Sequence, residues 1–203
     1  MFGDVYVGTG RWEKQSFCDI VEFNPKKSEL PAEDFDVSFV PMECVGTDNS
    51  MVPQCTKKKS EVIKGYTYFK NNDVVIAKIT PCFENGKIAV AHDLLNGVGF
   101  GTTEFHVARP KEGISNPIWI LNLLLLNSLK INANQNMTGS AGQKRIQTDY
   151  FKRLMVEVPP IELQNQFADF VRQVDKSKFI LSRMAELLGL STDSGCSHVQ
   201  ALL

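Results

Sequence analysis

The chain has 203 residues, 43% of them hydrophobic, which is enough for one well-buried domain or for one domain with an appendage. Its five cysteines (Cys18, Cys44, Cys55, Cys82, Cys196) are odd in number and contain no C-x-x-C pair, so neither a disulfide framework nor a metal site is expected, and a reducing, cytoplasmic setting fits. A net charge of −1 argues against a protein that coats nucleic acid without sequence preference.

The charge is unevenly placed. Residues 1–50 hold 4 Lys+Arg against 10 Asp+Glu, whereas residues 51–158 hold 14 against 8. The middle of the chain can therefore present a positive face, the alternative being an uneven but merely solvated surface. The opening, MFGDVYVGTGRW, lacks a basic segment followed by an apolar one, so no export signal is expected.

Up to residue 158 the pattern is that of short strands between turn formers. SFVPM (38–42), YTYF (66–69), DVVIAKI (73–79), KIAVAH (87–92) and TEFHVAR (103–109) are rich in β-branched and aromatic residues, and NND and ENG separate two of the pairs. VGTG (7–10) and GFG (99–101) read as turns, because neither lies in a strand–loop–helix unit able to cradle a phosphate. PIWILNLLLLNSLKI (117–131) predicts one buried helix, with Asn116 as N-cap and Pro117 at its first position. It is too short and too interrupted by Asn to cross a membrane. A polar Gly/Ser stretch follows, then a short amphipathic turn that Thr148 caps, then the strand LMVEV (154–158).

After Pro159-Pro160 the period changes. Leu163, Phe167, Phe170, Val174, Ser177, Leu181, Met184 and Leu188 are spaced 4-3-4-3-4-3-4, the a/d seam of a coiled coil with one polar interruption. A helix over 161–188 would be about 42 Å long at 1.5 Å per residue. One reading packs it back on its own domain. Its length and late position favour a projecting rod that needs a partner helix. The prolines mark the boundary, since they end a strand and prevent it from running into the helix. The class expected is α+β: a mixed globular domain with a twisted β-sheet over 1–158, a long helix over 159–190, and a loose tail over 191–203.

No catalytic constellation is visible. His92, His106 and His198 are the only histidines, and His106 reads as a half-buried strand residue rather than a ligand. Nothing local supports a Cys82–His92 pair. FNPKK (23–27) lacks the second proline and the aromatic residue of an adenine-methyltransferase motif, and no cofactor-binding βαβ unit is present. Two segments suit nucleic acid instead. TGSAGQKRI (138–146) combines glycines that allow close approach with Ser140 and Gln143, which hydrogen-bond in either sense, and with Lys144 and Arg145. TKKKS (56–60) offers three consecutive cations. On local grounds alone TGSAGQKRI reads first as a solvated loop joining helix to strand, and TKKKS poses the same choice.

Taken together, TGSAGQKRIQTDYFKRLMVEVPPIELQNQFADFV resembles the DNA specificity domain of type I restriction-modification systems. In that family a Gly-rich segment with Gln and a basic residue leads through a short helix and a strand to a Pro-Pro-Leu-x-x-Gln-like entry into a long helix. Gly139, Gly142, Gln143, Ile146, Pro159, Pro160, Ile161 and Gln164 fill those positions. W-x(5)-CDIVEFNPKK and NNDVVIAKITPCFENGKIAV resemble upstream parts of the family, with Asn72-Asp73 where Gly-Asp is common and Leu163 where an acidic residue is frequent. The resemblance covers most of residues 11–188.

It implies a non-catalytic subunit without a cofactor, one that binds double-stranded DNA and tells a methyltransferase subunit, and a restriction subunit where there is one, where to act. Family members usually carry two recognition domains and two long helices paired as an antiparallel coiled coil. This chain has one of each, so it is either a half-subunit that homodimerises through Leu163, Phe167, Phe170, Val174, Leu181, Met184 and Leu188, or part of a longer protein. On this reading Lys57, Lys58, Lys59, Lys144 and Arg145, with Lys78 as a weaker candidate, contact phosphates, and Ser140 and Gln143 contact bases. The competing readings are a recognition domain detached from a single-chain methyltransferase, and a helical adaptor that binds protein alone.

Overall fold

The computed structural model describes residues 1–140 and 142–187. Its centre is an antiparallel sheet of order β2–β9–β6–β7, built from Val21–Phe23, Phe105–Pro110, Val74–Ala77 and Ile88–Val90. All four residues of β6 are buried, and alternate ones serve opposite cores. Val74 and Ile76 belong to a cluster with Phe17, Trp119, Ile120, Leu124 and Phe151, whereas Val75 and Ala77 pack with Val40, Phe69, Phe105 and Val107. This explains why VVIA is a continuous apolar run rather than an alternating one: the strand is covered on both faces.

Helices cover the first face. They are α1 (Phe17–Ile20), α3 (Pro117–Leu124), α4 (Asn127–Gln135) and α5 (Thr148–Arg153). A second sheet, β4–β3–β8–β5, covers the other, formed by Cys55–Lys58, Asp36–Val40, Val98–Gly101 and Thr67–Lys70, with β3 and β8 parallel and the other pairs antiparallel. Its outer face makes a third cluster with Val62 of α2 (Lys59–Val62). A two-stranded sheet, β1 (Lys14–Ser16) with β10 (Met155–Glu157), closes the N-terminus onto the strand before the prolines.

The α+β class expected from the sequence holds, with the strands divided over three sheets. Several elements differ in detail. The helix expected over 117–131 is two helices, because Leu126 adopts extended backbone (ψ 130°) between α3 and α4, and the break turns Leu129 and Ala133 into the core. Asn116 does cap α3, its side chain accepting from the Ile118 amide at 2.9 Å, but Thr148 is already helical and Gln147 stands at the cap of α5. GFG is no turn but strand β8. A Cβ at Gly99 would lie 2.3 Å from the Phe69 ring and one at Gly101 2.4 Å from the Val40 carbonyl oxygen, so only glycine lets these strands meet. Asn72 has φ +71°, a left-handed position that Asn tolerates and that glycine adopts freely.

The helix α6 (Ile161–Leu187) is rooted and then free. Gln164 and Ala168 are fully buried, and Leu163 and Phe167 pack against the helical core; from Asp175 on, every residue whose exposure is described lies in solvent. The helix thus packs on its own domain over its first half and stands clear of it over its second. The root is locked by the Gln164 amide. Its oxygen accepts from the Asn116 amide at 3.0 Å, and its nitrogen donates to the carbonyls of Ile114 (3.1 Å) and Pro159 (2.8 Å). Truncation of this fully buried side chain, which satisfies three backbone groups with the buried Pro159 carbonyl among them, costs about 1–3 kcal/mol. Gln164→Ala should therefore lower the urea midpoint at unchanged slope; an unaltered midpoint would show that the lock is dispensable.

Candidate nucleic-acid interface

The 138–146 segment is not a slack connector. It is fastened to the open end of β6, where the chain continues past Ala77. The Ile146 amide donates to the Lys78 carbonyl (2.9 Å), Thr80 N–H to the Lys144 carbonyl (2.9 Å), and the Lys144 amide to Thr80 Oγ1 (3.1 Å). Thr138 and Arg145 exchange both backbone hydrogen bonds, and the Gln143 amide closes the tip on the Ser140 carbonyl at 3.0 Å. Gly139 has φ +130°, and a Cβ there would meet the Gln143 carbonyl oxygen at 2.8 Å. The result is a narrow projection with Ser140, Gln143 and Lys144 exposed at its end.

Strand β9 holds the projection from beneath. His106, 5% exposed, places Nε2 3.0 Å from the Ile146 carbonyl and Nδ1 3.1 Å from the Asn24 amide nitrogen, so Nε2–H donates and Nδ1 accepts. Glu104 receives the Arg145 guanidinium on both oxygens, with Nε at 2.9 Å from Oε2 and Nη2 at 3.0 Å from Oε1. Beside the projection lies a cleft of about 380 Å³ whose walls include Asn24, Thr67, Lys78, Thr103, His106 and Thr148. Lys78 is half-buried in that wall.

The structure gathers Ser140, Gln143, Lys144, Arg145 and Lys78 around one end of the central sheet. It does not bring TKKKS to them. That stretch is edge strand β4 and the start of α2, and β3 and β8 separate it from β5, a distance of about 14 Å at the usual strand spacing. The Lys57 ammonium lies 4.0 Å from the Phe39 ring centroid, and Lys58 pairs with Asp36 at 2.9 Å. Lys59 is buried with its ammonium on the Pro31, Ala32 and Glu33 carbonyls, so it has no donor to offer a phosphate. Sequence reasoning missed Glu104, Thr67 and Thr103, which come from separate strands and turns and carry no local signal.

Of the helix seam, Leu163, Phe167 and Val174 are half-buried, whereas Phe170, Leu181 and Met184 are 55%, 65% and 51% exposed. Leu188 and the expected 191–203 tail lie outside the described residues, as do Cys196 and His198. Ile180 and Leu187 are exposed beside the seam and widen the apolar stripe. Among the described residues, no group of three or more His, Cys, Asp or Glu side chains is placed to hold a metal, and no helix is long and apolar enough to cross a membrane.

Residues 10–187 match the family model described as the type I restriction modification DNA specificity domain. The chain belongs to that family. The specificity domain is 44% identical over 158 residues to the EcoAI type I restriction enzyme specificity subunit of Escherichia coli, covering 76% of this chain and 26% of that one. It is 38% identical over 194 residues to the EcoEI specificity subunit of the same organism, covering 95% and 32%. The chain thus spans about a quarter to a third of the length of these relatives.

Solved structures share its fold at low identity. One from work on complex assembly and conformational transition of the type I R-M system superposes with a TM-score of 0.62 at 14% identity, covering 87% of this chain and 45% of that one. The HsdS subunit from Thermoanaerobacter tengcongensis gives 0.56 at 16%, covering 89% and 48%, and the type I S subunit from M. genitalium 0.54 at 12%, covering 92% and 45%.

His106 makes the folding stability of the specificity domain sensitive to pH. Burial, ahead of the Lys78 charge, pushes the His106 imidazole down to about 4 from its ordinary 6.5. The unfolded chain therefore binds an extra proton between those values, so the contribution is complete above about pH 6.5 and is lost as pH falls towards 4. The urea midpoint should fall across that window, and His106→Gln should flatten that part of the profile. An unchanged profile in the variant would remove His106 as its source.

Proposed function

We propose that this chain is the sequence-specific DNA-recognition module of a type I restriction-modification complex. It directs a partner methyltransferase subunit, and a restriction subunit where the system has one, to a bipartite target. The observation that carries the reading is the family match over residues 10–187 together with the hydrogen-bonded segment that presents Ser140, Gln143 and Lys144 at the end of the central sheet. Lys144 and Lys78 are phosphate contacts in this proposal, and Lys57 and Lys58 are at most peripheral ones. Ser140 and Gln143 face base edges. The module contributes no chemistry of its own; methyl transfer and base flipping belong to the partner. It works in the cytoplasm, with residues 1–158 as the recognition domain and Ile161–Leu187 as the spacer and dimerisation helix.

The free half of α6 pairs, on this proposal, with the same helix of a second copy in antiparallel register. A two-fold axis at Ser177 sets Phe167 opposite Leu187, Phe170 opposite Met184 and Val174 opposite Ile180. The apolar groove of about 920 Å³ between α3 and α6, lined by Leu121, Leu125, Phe170 and Val174 among others, would then receive the far end of the partner helix. The 27-residue helix makes a rod of about 40 Å, compatible with half-sites one helical turn or more apart. Two-fold pairing of the protein predicts a palindromic target with an uncontacted gap.

Two measurements test this. The chain co-expressed with the methyltransferase subunit of its own system should place methyl groups at one gapped palindromic motif, mapped by long-read sequencing. No motif beyond that of cells with the methyltransferase alone, despite a soluble complex, counts against the assignment. Ser177→Cys should give a disulfide-linked dimer under mild oxidation that neither the parent chain nor Asn165→Cys forms. A monomer at high micromolar concentration by equilibrium sedimentation, with no cross-link, would exclude the pairing.

A further inference from the structure

A guanidinium has five N–H donors in one plane. In Arg145 three are occupied: Nε and Nη2 donate side-on to the two Glu104 oxygens, and Nη1 donates to the Gln143 carbonyl at 3.2 Å. Among the described residues, one N–H on each terminal nitrogen, Nη1 and Nη2, is left without a partner. The side chain is 38% exposed and sits one residue from the exposed Lys144 at the base of the projection, so the two remaining donors lie at the same end of the sheet as Gln143.

This arrangement suits a phosphate poorly. A phosphate contact relies on charge and accepts a mobile donor, whereas here the positive charge is matched by an adjacent carboxylate that would repel an anionic oxygen. An uncharged pair of acceptors has the opposite preference. It gains little from net charge and much from donors whose plane is already set, since no rotamer freedom is lost on binding. In duplex DNA the major-groove edge of guanine, with O6 and N7, is the acceptor pair that a planar arginine reads with two hydrogen bonds.

We propose that Arg145 reads a guanine in the half-site, and that Glu104 is the positioning residue that fixes the plane of its guanidinium. The inference rests on the DNA-recognition reading above and gives Arg145 a base contact in place of the phosphate contact expected from the sequence. Lys144, whose ammonium has no acidic partner among the described residues, keeps the phosphate role. Glu104 acts through Arg145 and does not itself touch the DNA.

The test is binding of the full chain, in complex with the methyltransferase subunit of its own system, to target duplexes in which each guanine in turn is replaced by 7-deazaguanine, which lacks the N7 acceptor. The unsubstituted complex should show one guanine per half-site where the replacement weakens binding, and exchange of that base pair should cost about 5- to 150-fold. Arg145→Lys retains the charge but should abolish sensitivity to 7-deazaguanine at that position alone. Glu104→Gln, with an unchanged Tm, should diminish the same sensitivity. Lys144→Ala should lower affinity for all duplexes alike and leave the profile intact.

A profile that Arg145→Lys and Glu104→Gln leave unaltered would overturn the assignment, as would uniform weakening across all duplexes. Failure of the underlying reading is distinguishable from both outcomes, because the unsubstituted complex would then prefer no duplex over random sequence.

Discussion

The pairing of β6 with β9 is the constraint on which the other layers depend. These strands are covered by helices on one side and by the second sheet on the other, so their side chains reach two cores at once. A strand packed on both faces has little freedom to slip, because a shift of one residue would exchange the contents of the two cores. Residues 138–140 and 142–146 are fastened at the end of this pair. Lys78 and Thr80 hold the projection from the end of β6, Glu104 from the turn before β9 and His106 from β9 itself. Side chains mounted in this way would lose little conformational entropy on contact, which supports the recognition role proposed for them.

A small number of buried polar groups tie distant segments to this centre. Asp73, 1% exposed, accepts from Arg109 at 2.8 Å through both oxygens, and Arg109 reaches on to Glu29, so the β5–β6 turn, β9 and the chain before β3 share one network. Glu157 accepts from the Thr9 hydroxyl and from the Thr9 and Gly10 amides, which together hold its carboxyl below the usual range and draw the VGTG turn onto β10. Gln164 does the same for the helix. Buried polar groups contribute little net stability when satisfied, but each has few alternative partners, so they specify position more than they add strength. The glutamine of the Pro-Pro-x-x-x-Gln entry has this physical meaning: it returns to the Pro159 carbonyl and sets the direction in which the helix leaves.

The helix itself changes character along its length. Its first half shares the core of the domain, through Phe167 against Phe2 at 5.2 Å and through the fully buried Ala168. Its second half carries Ile180, Leu181, Met184 and Leu187 in solvent. A helix with an apolar stripe and no neighbour leaves hydrophobic area exposed to water, and a second helix is the simplest cover for a stripe of that width.

Local grammar was sufficient for much of this protein. Alternation and turn residues located five of the strands to within a few positions, Asn116-Pro117 marked the start of α3, and the 4-3 spacing after Pro160 marked the long helix, because these signals act over a few neighbouring residues. The Gly-Gln-Lys segment and the Pro-Pro-Ile-x-x-Gln entry were legible for the same reason, and they carried the family resemblance. Tertiary packing decided the remainder. GFG became a strand because Phe69 and the Val40 carbonyl press against it, the apolar run 117–131 broke at Leu126 so that α4 could turn its apolar face to the core, and three adjacent lysines diverged to an aromatic ring, a carboxylate and a set of carbonyls. No local pattern joins Glu104 to Arg145, 41 positions apart. Their meeting depends on which strand ends lie side by side, and that is set by burial over the whole domain.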